Sequence, residues 1–259
     1  MRLDLESPRT LGELVTLTFD LFGRHLAVFL SLTLAVVAPI VLVVDGVWGR
    51  YLAEGGDVDP PTAAAAASLA LGVLVIPPLV TALHVVVVQA LARGEEPTVG
   101  GALRSAATRL IPAVAAVAVY TLVVAAGLVA LIVPGVWLAV RFYFCAQAAV
   151  VDGLGPADAL RRSAQVVQTR WWRTFGYLLA FGLVVGAFGA VGGALAHEIS
   201  NGALFTTAWI LVQTLTLSLS AIFGTLLFFD SRARTALPWQ GTPPVEPHAP
   251  ERPIQPPRM

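Results

Sequence analysis

From Thr10 onward the hydrophobic positions fall into two alternating patterns: short stretches with one apolar face and long stretches apolar on every side. In the first short stretch Leu11, Leu14, Val15, Leu21 and Phe22 share a face, with Glu13, Thr16, Asp20 and Arg24 elsewhere. That spacing predicts an amphipathic helix, lying in a membrane interface or capping a bundle in water. Thr10-x-x-Glu13 ahead of it predicts a capping box, in which each side chain satisfies a backbone N–H at the helix start. Thr98–Arg109 repeats the pattern, with Val99, Ala102, Leu103, Ala106 and Leu110 on one face and Arg104, Thr108 and Arg109 polar. Pro156–Arg170 repeats it again through Ala157, Leu160, Ala164, Val167 and Trp171, and Asp158 is spaced to pair with Arg162 four residues on.

Residues 26–45, 63–91, 110–133, 136–151, 174–196 and 203–228 are apolar all round. A helix needs about 20 such residues to cross the hydrocarbon, so 136–151 stands at the short end. Pro39 is expected to kink the first segment, Pro77-Pro78 to break the second, and Pro134-Gly135 to cut the third from the fourth. The predicted fold is all-α: six transmembrane helices as three hairpins, each preceded by a cytoplasmic amphipathic helix. The rhythm restarts near Thr10, Thr98 and Pro156, and Thr10-Leu-Gly shares letters with Thr98-Val-Gly. Hydropathy rather than identity carries the repeat. Trp48 and Tyr51 follow the first crossing, and Trp171-Trp172 stand between Arg170 and Arg173; all four are placed as interfacial anchors. Residues 1–230 form the membrane domain. Residues 231–259 form a Pro-rich cytoplasmic tail, expected to be disordered because it has too little apolar surface to offset the entropy of ordering.

Composition sharpens this picture. The chain of 259 residues is 57% hydrophobic and 12% charged, where soluble domains carry roughly 25% charged residues. A net charge of zero excludes a strongly basic nucleic-acid binder. Every basic residue is Arg, which with the Ala and Val richness points to a high-GC bacterial genome and so to a bacterial plasma membrane. Fourteen of the sixteen Arg lie in the N-terminal arm, 92–109, 152–173 and the tail, which orients both termini toward the cytoplasm. Asp4, Glu6, Glu13 and Asp20 precede the first long apolar run and no small-residue cleavage site follows it, so that run is expected to stay as a membrane helix. Cys145 is the one cysteine, which excludes an intrachain disulfide and a cysteine metal site.

Arg141 is the sharpest candidate for chemistry. It stands six residues past Gly135, roughly 9 Å along a helix, in a run otherwise apolar enough for lipid. The predicted orientation puts it under the outer headgroups. Two readings stay open: an anchor for a phosphate or carboxylate, or a side chain that snorkels outward or pairs with carbonyls freed at Pro134. Arg161, Arg162, Arg170 and Arg173 are candidate contacts for anionic lipid on the cytoplasmic side. His84 has Gln89 nearby but no second ligand within helical reach, so a hydrogen bond across the bundle is expected in place of a metal. Gly182, Gly186, Gly189 and Gly193 form a stripe for close helix packing, within the bundle or between copies. No P-loop, Gly-x-Ser-x-Gly, His-Glu-x-x-His or dinucleotide fingerprint occurs, so no catalytic residue, cofactor or metal is assigned.

One family is suggested by the order of motifs. These are Thr10-Leu-Gly-Glu, Ile132-Val-Pro-Gly-Val with Arg141 and Phe144, Val151-Asp152-Gly153 with Ala159-Leu-Arg-Arg-Ser163, Arg170-Trp-Trp-Arg, and Phe229-Asp230-Ser-Arg232. Over residues 8–235 the chain resembles the membrane domain attached to some bacterial glycerophosphodiester phosphodiesterases and its stand-alone relatives of unknown function. That family commonly has Glu where Asp152 stands, and the phosphodiesterase catalytic domain is absent here. The resemblance implies a membrane-domain architecture without hydrolysis. The expected function is a non-catalytic membrane module that meets lipid or an envelope partner, as a single chain or a homo-oligomer. The alternative is a small transporter or exporter of an anionic or amphiphilic solute, favoured by the broken helices near Arg141.

Overall fold

The computed structural model describes residues 4–5, 7–53, 72, 75–199 and 202–235, apart from the side chains of 44–53 and 197. The described residues are all-helical: α1 Leu11–Arg24, α2 Leu26–Ala53, α3 Ile76–Ala92, α4 Val99–Ala130, α5 Ile132–Arg141, α6 Cys145–Asp152, α7 Pro156–Val167, α8 Trp171–His197 and α9 Gly202–Thr235. Five segments are long and apolar enough to cross a membrane: Leu26–Val43, Val99–Ala130, Ile132–Asp152, Trp171–Ala196 and Gly202–Thr235. Ile76–Ala92 is a shorter apolar helix. Ile111, Leu122, Val129, Leu183, Val191 and Leu195 turn outward and exposed, a surface suited to a bilayer and costly in water.

α9 is the central post, packed against α1, α2, α3, α7 and α8. Its half from Ser218 onward is almost wholly buried, with Ile222, Phe223, Leu226, Leu227 and Phe228 in the core beside Phe29, Leu32, Leu83 and Phe144. Phe181 of α8 stacks flat on Phe223, ring centroids 3.9 Å apart. At the head of α1 the capping box is formed: Glu13 N–H donates to the Thr10 hydroxyl, and Thr10 N–H donates to the Glu13 carboxylate at 2.7 Å. Two bonds donated to the Glu13 carboxylate, from the Thr10 backbone N–H first and from the Thr10 hydroxyl at 2.9 Å second, hold it below the usual carboxylate range.

Several boundaries differ from the sequence reading. Thr98–Arg109 and the third crossing are one helix of 32 residues, because nothing between Arg104 and Ile111 breaks the α phase and the helix runs on through Pro112. Pro77 and Pro78, where the second segment is expected to break, stand in the first turn of α3, where a missing N–H costs nothing; residues 54–71, 73 and 74 on the far side of them lie outside the described residues. Pro134-Gly135 falls inside the first turns of α5, and the chain reverses at Leu131, which is extended (φ −164°, ψ 145°). The fourth segment breaks instead at residues 142–144, between α5 and α6. α2 continues to Ala53, so Trp48 and Tyr51 are on a helix, with side chains outside the described set. Residues 231–235, read as tail, complete the last turn of α9; 236–259 lie outside the described residues.

α4 and α5 approach most closely at two glycines. A Cβ on Gly135 would stand 2.4 Å from Leu128 Cδ2 and 2.7 Å from the Leu128 backbone nitrogen. The side chain can turn away; the backbone cannot. Gly135→Ala is therefore expected to cost about 1–3 kcal/mol by overpacking, read as a lower unfolding temperature in detergent. Gly182→Ala, where a Cβ meets nothing within 4 Å, is the control. Equal unfolding temperatures for the two variants would contradict the close approach.

Candidate functional site

Two buried carboxylates organise the end of the bundle where α1, the start of α8 and the last turns of α9 meet. Asp230 has a side chain 0% exposed and sits 2.7 Å from Arg173 Nη1 and 3.1 Å from Arg234 Nε. It also accepts the Arg9 N–H at 2.6 Å, while the Arg9 carbonyl accepts from Arg234 at 2.7 Å and from Arg173 at 3.0 Å. The two peptide groups flanking the Arg9 Cα, just ahead of α1, are thus both held, one by its N–H and the other by its carbonyl, tying the N-terminal arm to α8 and α9. Asp152 does the same for α6, α7 and α9 through Arg162 Nε at 3.2 Å and Arg232 Nη1 at 2.8 Å. It closes α6 just before Gly153, whose φ of +65° is the left-handed conformation that favours glycine at a helix end.

This network corrects the reading of the basic residues. Arg162 and Arg173 were expected to face lipid, but their guanidinium groups are taken up by Asp152 and Asp230, and Arg173 also lies over the Tyr177 ring. The buried face of α7 is Ala159, Leu160, Arg162, Ser163, Ala164, Val166 and Val167, while Ala157 is exposed. Arg162 turns inward because a counter-charge waits there, so Asp158 pairs with exposed Arg161 at i+3 and not with Arg162. Arg170 is exposed, and among the described residues it has no carboxylate partner.

Arg141 is also placed differently. The Trp171 indole N–H donates to the Trp137 carbonyl at 3.2 Å. The Ser163 hydroxyl donates to the Arg141 carbonyl at 3.0 Å and accepts the Phe144 N–H at 3.0 Å. α5 has only ten residues, about 15 Å, and it ends against α7 and the head of α8. Arg141 therefore ends α5 against α7 and close to the head of α8. Its guanidinium is half-buried over the Trp137 ring, 4.8 Å from the centroid, with no carboxylate partner among the described residues. Beside it Ile132, Val133, Trp137, Trp171, Trp172 and Phe175 line an open groove of about 530 Å³. Trp171 stacks on Phe175 at 5.2 Å, and Trp172 is 78% exposed.

In the bundle's middle His84 is fully buried, stacked on Phe29, with Nδ1 2.8 Å from the Val80 carbonyl and Nε2 3.4 Å from the Thr33 hydroxyl. Thr33 in turn lies 2.7 Å from Ser218 Oγ. The chain of hydrogen bonds joins α2, α3 and α9 and fixes His84 as a structural link. Among the described residues no three of His, Cys, Asp and Glu come close enough to hold a metal. The glycine stripe divides: Gly189 and Gly193 meet Thr216 and Trp209 of α9, while Gly182 and Gly186 face open space. The tightest contact there, Gly192 against Val212, was outside the stripe.

Residues 85–229 match the family described as Domain of unknown function (DUF7847). The match takes in Arg141, Asp152, Arg162, Arg173 and the aromatic groove, and ends one residue before Asp230. No curated protein and no solved structure matches the chain.

Proposed function

Since the chain belongs to the DUF7847 family, which carries no assigned activity, we propose its role from the surface itself: a non-catalytic, multi-pass membrane module that holds an anionic phospholipid. The phosphate lies at Arg141 and Arg170, and an acyl chain follows the groove of Trp137, Trp171, Trp172 and Phe175. The observation that carries this reading is a half-buried arginine, free of carboxylates among the described residues, at the side of an open aromatic groove. Guanidinium geometry suits phosphate, and indole rings suit the headgroup level. In this reading α2 to α9 make six crossings as three hairpins in the bacterial plasma membrane, with both termini cytoplasmic. The arginine distribution supports that orientation, and anionic lipid at the headgroup level provides the attraction for Arg141 and Arg170. The resemblance of the motif order to the membrane domain of bacterial glycerophosphodiester phosphodiesterases supports the multi-pass architecture alone.

Native mass spectrometry tests it. Arg141→Ala with Arg170→Ala should cut retention of phosphatidylglycerol at least fivefold relative to phosphatidylcholine. Arg104→Ala, an exposed charge on α4 away from the groove, should leave retention unchanged. Equal loss from both variants would reduce the effect to general surface charge and end the site assignment.

A second reading, transport of an anionic or amphiphilic solute, is favoured by the break at residues 142–144 close to Pro77-Pro78 at the head of α3. Efflux of a phosphate-bearing solute from proteoliposomes, lost in Arg141→Ala while bound lipid is kept, would put transport first.

A further inference from the structure

Between α3, α4, α6 and α9 lies a cavity of about 190 Å³, separate from the aromatic groove. Its polar lining comes from Thr81, Tyr120, Thr121, Tyr143, Gln147 and Ser220, on an otherwise apolar wall, and among the described residues no charged side chain lines it. Gln147, in the first turn of α6, is 4% exposed, and among the described residues neither its Oε1 nor the buried Thr121 hydroxyl has a hydrogen-bond partner. A buried carbonyl left unsatisfied is costly, and packing holds this one in place. A Cβ on Gly224 would stand 3.1 Å from Gln147 Nε2 and 3.2 Å from the Tyr143 hydroxyl, so the bare α9 backbone seats both groups at the cavity wall.

The lining defines the ligand's chemistry. An ion here would sit against a largely apolar wall with no counter-charge among the described residues, which disfavours it. Gln147 Oε1 needs a donor, and the apolar wall suits a short hydrocarbon body. The volume is that of about six waters at roughly 30 Å³ each. We propose that this cavity binds a small uncharged hydrogen-bond donor, an alcohol or primary amide of a few carbons, with its O–H or N–H on Gln147 Oε1 and its oxygen within reach of Thr121. Neither Arg141 nor Arg170 lines the cavity, so the site stands independently of the lipid reading.

The test uses the full chain in lipid nanodiscs with a butanol bearing a diazirine, and mass spectrometry to locate the adducts. Adducts should concentrate on Tyr120 and Tyr143, and excess butanol should suppress them. Gln147→Leu should lower labelling about tenfold, and Gly224→Ala should lower it by pushing Gln147 and Tyr143 into the space. Thr121→Val, nearly isosteric, should also lower labelling, and it decides the matter if Gln147→Leu fails to fold. The ammonium counterpart of the probe should label these tyrosines poorly. Adducts spread over the lipid-facing side chains alone, labelling unchanged in Thr121→Val and any folded Gln147→Leu, or equal labelling by the ammonium probe would each overturn the assignment.

Discussion

Asp230→Asn is expected to destabilise the protein by about 3–5 kcal/mol, the loss seen when one member of a buried ion pair is removed. The carboxylate is fully enclosed and holds Arg173, Arg234 and the Arg9 N–H at once. An amide of the same shape takes the buried counter-charge from both Arg173 and Arg234. It also loosens the Arg9 peptide, so the arm ahead of α1 should become sensitive to protease at concentrations that spare the wild type. Thermal unfolding in detergent gives the first measure and limited proteolysis the second. A change below about 1 kcal/mol, the size of an exposed ion pair, would mean that the cluster is solvated and that Asp230 is not its organising charge.

Asp152→Asn should cost a similar amount, about 3–5 kcal/mol, but at a different joint. Arg162 of α7 and Arg232 of α9 both lose their anion, so the contact of α6 and α7 with α9 loosens. Adding Arg162→Met should restore part of the loss, because a buried charge pair replaced by apolar groups of similar size is often tolerated. Arg232 still lacks the Asp152 carboxylate in that double variant, which is why recovery is expected to be partial. A double-mutant cycle provides the coupling between positions 152 and 162. Simple additivity of the two losses would deny that they act as a pair. Neither substitution touches the Arg141 groove, so lipid retention by the folded fraction should stay at the wild-type level.

The sequence by itself determined what depends on neighbours a few residues apart. Apolar runs of membrane length are helical because a backbone in lipid must satisfy its own hydrogen bonds, and the Thr10–Glu13 cap closes over three residues. The same local view placed α7 and its amphipathic character, yet misjudged its inner face. Arg162 is a polar residue in a helix whose outer side is also polar, and its inward turn depends on Asp152 ten residues earlier, a carboxylate that Arg232, seventy residues later, shares. Arg173 was likewise legible as a basic residue beside two tryptophans, but its partner Asp230 is supplied by the far end of another helix. Tertiary structure alone decided the surroundings of Arg141, since spacing from Gly135 measures distance along a helix and says nothing about where that helix points. The Trp171 indole on the Trp137 carbonyl and Ser163 on the Arg141 carbonyl fix α5 against α7 and α8. Such contacts join positions more than twenty residues apart, where no periodicity reaches, and they leave Arg141 uncovered beside the groove while Arg162 and Arg173 are sealed into the bundle.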